Sequence, residues 1–192
     1  MKHLIYKIIG TPNFVRIIEW REILKWLRPK EGEKIFVACG NGILSLKIAE
    51  RGCQVYGIDV ARNAIRHARC FAEKEKITCE FIVGDAEDLP FSNAYFDKIV
   101  CSSSLEHFKN DVRALSEMYR VLNPNGLVIL TTDSFTYPLS NQLKILHTHI
   151  SHVVNYYTYK SIKKKFEVAG FNIVRTKYLL NSSITSFFHK LD

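Results

Sequence analysis

Lys34-Ile35-Phe36-Val37-Ala38-Cys39-Gly40-Asn41-Gly42-Ile43-Leu44-Ser45 is the stretch on which the rest of the chain turns. A short apolar strand runs into a tight turn with two glycines, and an amphipathic helix follows. Glycine takes φ > 0 freely and carries no Cβ, so such a turn lets backbone N–H groups come close to a ligand. A parallel α/β sheet binds ligands at the carboxyl ends of its strands, which puts this turn at the mouth of a site. Gln54-Val55-Tyr56-Gly57-Ile58-Asp59 is a second strand ending in an acid, 17 residues after Gly42. That spacing suits a βαβ unit whose second strand offers a carboxylate to a ribose diol.

Outward from there the pattern alternates. Ile43 to Glu50 is a helix that stops at Arg51-Gly52, where glycine suits a helix end. Ala61 to Glu75 is a charged helix with Ala64, Ile65, Ala68 and Phe71 facing inward. Thr78 to Val83 is strand three, and Gly84-Asp85-Ala86-Glu87-Asp88-Leu89-Pro90-Phe91 is the loop after it. Phe96 to Cys101 is strand four, followed by the loop Ser102-Ser103-Ser104-Leu105-Glu106-His107-Phe108. Asp111 caps a helix reaching Leu122, and Asn123-Pro124-Asn125-Gly126 turns the chain into strand five, Leu127 to Thr132. Upstream, Thr11-Pro12-Asn13 starts a helix whose Phe14, Ile17, Ile18, Ile23, Leu24 and Leu27 recur at helical spacing. Trp20 and Trp26 fall off that stripe and either pack on the sheet or line an entrance.

Strict β-α alternation means a parallel sheet with helices on both faces. Beyond residue 132 the pattern changes. Residues 133–157 are rich in Tyr, His, Ser and Asn, with a helical stretch near Asn141 to Val154. Thr158 caps a basic helix carrying Lys160, Lys163, Lys164 and Lys165, closed by Gly170. Phe171 to Tyr178 and Ser183 to Phe188 read as two last strands whose link is short enough only for antiparallel neighbours. The expected fold is therefore α/β, a Rossmann-like three-layer sandwich. Its sheet has seven mostly parallel strands, with one antiparallel strand near the C-terminus. One domain spans residues 1–192, with 1–33 as an N-terminal helical cap and 133–157 as a substrate-side insertion.

At 192 residues the chain is long enough for a real hydrophobic core. Its apolar runs are too short to span a bilayer, and Met1-Lys2-His3 opens no signal peptide. Five cysteines, at 39, 53, 70, 79 and 101, form no Cys-x-x-Cys pair, which argues against a disulfide or metal framework and for a reduced, cytoplasmic setting. The net charge of +8 is uneven: +4 over residues 1–34, −2 over 35–140 and +6 over 141–192. Basic ends around a near-neutral centre suit either an anionic partner or a merely solvated surface.

Taken in order, these segments resemble the class I S-adenosylmethionine (SAM)-dependent methyltransferases, in particular the small-molecule branch with the ubiquinone/menaquinone-type ring methyltransferases. Val37-Ala38-Cys39-Gly40-Asn41-Gly42 resembles the glycine-rich first motif, and Gly57-Ile58-Asp59 the ribose-binding acid. Gly84 to Phe91 is similar to the adenine-side loop, and Glu117 to Gly126 to the helix and turn before strand five. Phe96-Asp97, Leu105-Glu106-His107 and Ala169-Gly170-Phe171 fit as well. The chain departs from the family at Phe36, where an acid is usual, and at Ala38, where a glycine is usual; alanine is tolerated there if φ is negative.

The resemblance implies SAM as cofactor, with S-adenosylhomocysteine as product, and names its site. Ala38, Cys39, Gly40, Asn41 and Gly42 would lie beneath the methionyl and ribose portions, and Asp59 would accept from the ribose hydroxyls, with Val60 beside it. Asp85 would accept from the adenine amino group and Ala86 N–H would donate to the ring, while Ser102 closes the site at the end of strand four. Asp59 also suits a helix cap, and Asp85 a turn. Methyl transfer is a direct displacement on a sulfonium, so orientation dominates. His107 is the candidate base, or else it packs its loop. Glu106 and His107 are too few ligands to predict a metal.

The acceptor implied is a small molecule, anionic or lipid-like, entering between the N-terminal helix and residues 133–157, where Tyr137, His147, His149, His152, Tyr156 and Tyr157 either line the entrance or anchor an ordinary surface helix. The basic helix at Lys163–Lys165 suggests peripheral membrane contact. Three rivals stay open. A nicotinamide oxidoreductase lacks its third glycine, since Gly40-x-Gly42 is followed by Ser45. A nucleic-acid methyltransferase suits the basic ends, yet Cys101-Ser102-Ser103-Ser104 stands where base-gripping DNA enzymes carry Asn/Asp-Pro-Pro-aromatic; an RNA enzyme remains the alternative. A SAM-fold protein without catalytic activity is the third.

Overall fold

A computed structural model describes residues 14–132 and 152–179, together with 142, 145, 148 and 149. Five strands alternate with helices except between β3 and β4, which a loop joins: α1 (Phe14–Leu27), β1 (Lys34–Ala38), α2 (Ile43–Ala49), β2 (Gln54–Asp59), α3 (Arg62–Glu75), β3 (Glu80–Val83), β4 (Phe96–Ser102), α4 (Asp111–Val121), β5 (Leu122–Thr131) and α5 (Tyr159–Val168). The sheet order is β3-β2-β1-β4-β5 and every pairing is parallel. The order reverses between β1 and β4, and in such sheets the crevice at that reversal is where ligands bind.

Alternation along β1 builds the two faces. Ile35 and Val37 point one way, into a core with Ile23 and Leu27 of α1, Leu44 and Ile48 of α2, and Ile65, Ala68 and Phe71 of α3. Phe36 points the other way, into a second core with Phe96, Ile99, Leu115, Met118 and Tyr157. Each of these large side chains, taken from water, stabilises the fold by about 1.5–3 kcal/mol before entropy is counted.

The sheet differs from the seven-stranded expectation. Among the described residues it has five strands, all parallel. Phe171 to Tyr178 follows α5 and pairs with none of the described strands. Phe171 packs on Tyr119 and Phe166, while Arg175 lies 4.7 Å over the Trp26 ring and Lys177 pairs with Glu22 at 2.8 Å. Side-chain contacts to α1 and α4 thus hold that run, which its alternating apolar residues do not reveal. The other expected strand, Ser183 to Phe188, lies outside the described residues, as do the Thr11-Pro12 start, Tyr137 and His147.

Smaller differences have local causes. Strand five begins earlier than expected, because Leu122 already pairs with Phe96; Asn123–Gly126 then bulges before Leu127 pairs with Lys98, with Asn125 at φ 63°. The cap of α4 is Asn110, whose side chain accepts from Arg113 N–H at 3.0 Å, and not Asp111. Asp111 is buried and instead accepts from Tyr157 Oη at 2.6 Å and Lys165 Nζ at 2.8 Å. Gln142, Ile145, Thr148 and His149 are helical, whereas His152 to Val154 are not. No described helix is long and apolar enough to cross a membrane.

Candidate functional site

The glycine corner and Asp59 are joined directly. Asp59 Oδ2 accepts from Gly40 N–H at 3.1 Å and Oδ1 from Ala61 N–H at 2.8 Å. Asp59 is not the helix cap that its place before α3 suggested, since Ala61 holds that position; it makes an Asx turn to Ala61 N–H instead. A carboxylate has about four acceptor positions. Two are used here, so capacity for a diol remains on the half-buried edge of the sheet.

The corner offers shape more than donors. The amides of Cys39, Gly40, Gly42 and Ile43 go to Ile58 O, Asp59, Cys39 O and Asn41 Oδ1. Its two glycines serve different ends. Gly42, at φ 80°, lies so close to α3 that an added Cβ would stand 2.5 Å from Ala68 Cβ. Gly40, at φ 51°, has nothing within 4 Å of that position, so the space above it is open to a ligand. That Cβ-free approach beside a carboxylate fits an adenosyl group.

Both departures in the first motif have structural explanations. Ala38 ends β1 without positive φ, paired to Ile58 and Cys101, so a methyl group is tolerated. Phe36 is fully buried, 5.7 Å from the Phe96 ring, and belongs to the core rather than to the mouth. Cys39 is core as well, and burial pushes its thiol up to about 12.

Across β2 and β3 the mouth continues, with Gly84 N–H donating to Asp59 O at 3.1 Å. Asp85 is exposed, and its Oδ1 accepts from Glu87 N–H at 2.9 Å, so it too makes the turn expected of it. Ala86 is buried behind that turn, and Val60 stands 66 % exposed beside Asp59. α4 clamps the loop: Glu117 accepts from Leu89 N–H at 2.9 Å, and Arg120 donates to Leu89 O and Phe91 O at 2.9 and 2.7 Å. The hydrogen bond from Arg120 holds the Glu117 carboxyl below its usual range.

On β4 the structure brings Ser102 to the mouth, because Cys101 pairs with Ala38. His107 ends a short 3-10 turn, Leu105–His107, and is exposed. Its Nδ1 lies 3.1 Å from His152 O. A carbonyl can only accept, so Nδ1 is the donor, and in the neutral ring Nε2 is the nitrogen with the lone pair that a base needs. Glu106 is buried and accepts from Thr132 Oγ1 at 3.1 Å. Among the described residues no group of three His, Cys, Asp or Glu side chains converges as a metal site would require. Tyr157, one of the candidates for the entrance, is core, and its burial raises its phenol pKa.

One residue escaped the sequence reading. Glu19 of α1 is 3 % exposed and accepts hydroxyl protons from Ser102, Ser103 and Thr131. An acid one turn before the buried Ile23, on the side of the helix that meets the sheet, was the available signal.

The family described as "Methyltransferase domain" matches residues 35–130, half of the chain and the part that holds the corner, the acid and all five strands but the first residue of β1 and the last of β5. The chain belongs to that family. It is similar to a demethylmenaquinone methyltransferase of Thermus thermophilus, 32 % identical over 125 residues, covering 60 % of this chain and 57 % of the relative. A ubiquinone biosynthesis O-methyltransferase of Azorhizobium caulinodans is 31 % identical over 107 residues, 55 % of this chain and 42 % of the relative. This methyltransferase-family chain thus spans about half the length of those relatives. Among solved structures, a phosphoethanolamine N-methyltransferase 2 of Haemonchus contortus, in complex with S-adenosyl-L-methionine, superposes with a TM-score of 0.73 at 27 % identity, covering 79 % of this chain and 36 % of that one.

Proposed function

We propose that this protein transfers a methyl group from SAM to a small acceptor, and that Gly40 to Gly42, Asp59, Val60, Asp85, Ala86 and Ser102 form the donor site. The observation that carries this reading is the 3.1 Å bond between Gly40 N–H and Asp59, which sets a carboxylate beside an open, Cβ-free corner at the reversal of strand order. When bound, the donor supplies an electrophilic methyl on a sulfonium. The chain's residues do the rest. Asp59 fixes the sugar, and the clamped loop from Asp85 to Phe91 fixes the base. Holding donor and acceptor in line can lower the barrier by up to about 7–11 kcal/mol. His107 Nε2 is the group suited to take a proton from a hydroxyl acceptor.

The acceptor class we favour is a ring hydroxyl or quinol-type molecule, because one relative is named a demethylmenaquinone methyltransferase and another a ubiquinone biosynthesis O-methyltransferase. A lipid-like acceptor also suits the exposed Lys160, Lys163 and Lys164 beside the exposed Tyr159 and Val168 on α5. Calorimetric titration with SAM tests the donor site: wild type should release heat, and Asp59→Ala should bind at least about tenfold more weakly, the loss of a charge-assisted pair. Absence of heat from both ends the reading. A donor-turnover screen across phenols, quinol precursors, sugars and tRNA then assigns the acceptor, with turnover on tRNA alone favouring the RNA alternative.

A further inference from the structure

Residues 152–157 grip the loop after β4 by its carbonyls. Tyr157 Oη donates to Leu105 O at 3.2 Å, and the N–H groups of Val154 and Asn155 donate to Glu106 O at 2.9 and 3.0 Å. Asn155 Nδ2 then donates to Phe108 O at 2.7 Å. Asn155 therefore ties the carbonyls on both sides of His107, one with its main chain and one with its side chain. The His107 ring meets the same segment, with Nδ1–H donating to His152 O at 3.1 Å. His152 has φ 54°, and its own N–H donates to Thr148 O at 2.9 Å. A left-handed residue thus ends that helical turn and sends the chain back along the loop.

The grip has a firm base. Tyr157 is buried, and its Oη also donates to Asp111 Oδ2 of α4 at 2.6 Å, while Asp111 Oδ1 takes Lys165 Nζ of α5 at 2.8 Å. Residues 152–157 lie beyond the family-matched stretch 35–130, so that stretch alone does not supply the grip.

The two ring nitrogens give the arrangement its chemistry. A neutral imidazole has one donor nitrogen and one with a lone pair, and the hydrogen bond made by the first decides which is which. With Nδ1–H on His152 O, the lone pair falls to Nε2. When Nε2 takes a proton from an acceptor hydroxyl the ring becomes a cation, and Nδ1–H stays on the same carbonyl in a charge-assisted bond. That bond is stronger after the proton arrives than before, which is the direction that favours the transfer.

We propose that Asn155 is a positioning residue for His107. By holding Glu106 O and Phe108 O it keeps the imidazole on His152 O and the lone pair on Nε2. This rests on the methyltransferase reading above, in which His107 is the base, and Asn155 acts on it through the loop.

NMR of the imidazole nitrogens in the histidine-labelled full chain tests this, at a pH where the ring is neutral. His107 is assigned by the resonances lost in His107→Gln. In wild type the protonated nitrogen should be Nδ1, the form that a histidine in water adopts less often than Nε2–H. Asn155→Ala and Asn155→Asp should both shift the proton toward Nε2, since neither side chain can donate to Phe108 O. Asn155→Asp, of equal size, keeps the test alive if Asn155→Ala does not fold, as judged by its melting curve. S-adenosylhomocysteine binding, read by calorimetry, should be unchanged in both. Retention of the Nδ1 proton in a folded variant would overturn the proposal, as would an Nε2–H form in wild type. Failure of both variants to fold would overturn it too, making Asn155 a stability residue alone. Wild type that binds no S-adenosylhomocysteine would instead bring down the methyltransferase reading, and the role of His107 as base with it.

Discussion

Gly40 and Gly42 are two residues apart, both have positive φ, and yet alanine should do opposite things at them. At Gly42 an added Cβ meets Ala68 Cβ at 2.5 Å, backbone packed on a helix that cannot yield cheaply. The left-handed conformation costs about 1–2 kcal/mol and the overpacking about 1–3 more. Gly42→Ala should therefore lose roughly 2–5 kcal/mol in urea unfolding, a large part of a domain's stability. At Gly40 nothing lies within 4 Å, so Gly40→Ala should lose only the conformational cost, about 1–2 kcal/mol. It would, however, fill the space a donor needs. Calorimetry should show Gly40→Ala folded but weakened for S-adenosylhomocysteine; unimpaired binding would remove Gly40 from the proposed site.

At the scale of elements, α4 and the loop after β3 behave as one unit through Glu117 and Arg120. The folded Glu117 carboxyl titrates below its ordinary 4.5, first because Arg120 donates to it. A depressed folded value means the unfolded chain binds the proton more readily in the acid range. The pair's stabilisation is thus complete above about pH 4.5 and is lost as pH falls below it. Glu117→Gln should cost about 1.5–3 kcal/mol at pH 7 and much less near pH 3, read from urea midpoints at the two pH values. Equal losses at both would refute the linkage. Much of this architecture was legible in the sequence, because βα alternation depends on local periodicity: β2 has the expected bounds, and α2 and α3 end within a residue of expectation. Contacts between distant residues were not legible. Glu19 meets partners 83, 84 and 112 residues away, and no local pattern encodes that. Phe171 to Tyr178 failed for the same reason: alternation marks a strand only when a neighbour pairs with it, and here Trp26, Glu22 and Tyr119 hold the run instead.

For the whole molecule, the proposed donor site draws on parts far apart in the chain: the corner after β1, Asp59 after β2, the loop after β3, and Ser102 at the end of β4. Groups joined across that many elements exist together only in the folded state, so a donor that bridges them binds the native chain and not the unfolded one. Binding then raises stability by mass action, by about 2.7 kcal/mol at a hundred times Kd. For a domain of this size each kcal/mol moves the midpoint by about 2–4 °C, giving roughly 5–11 °C in all. S-adenosylhomocysteine at that excess should raise the wild-type melting temperature by this amount, and at the same concentration Asp59→Ala should lose most of the rise. A shift that persists undiminished in Asp59→Ala would place the ligand elsewhere on the molecule and detach the glycine corner from the donor.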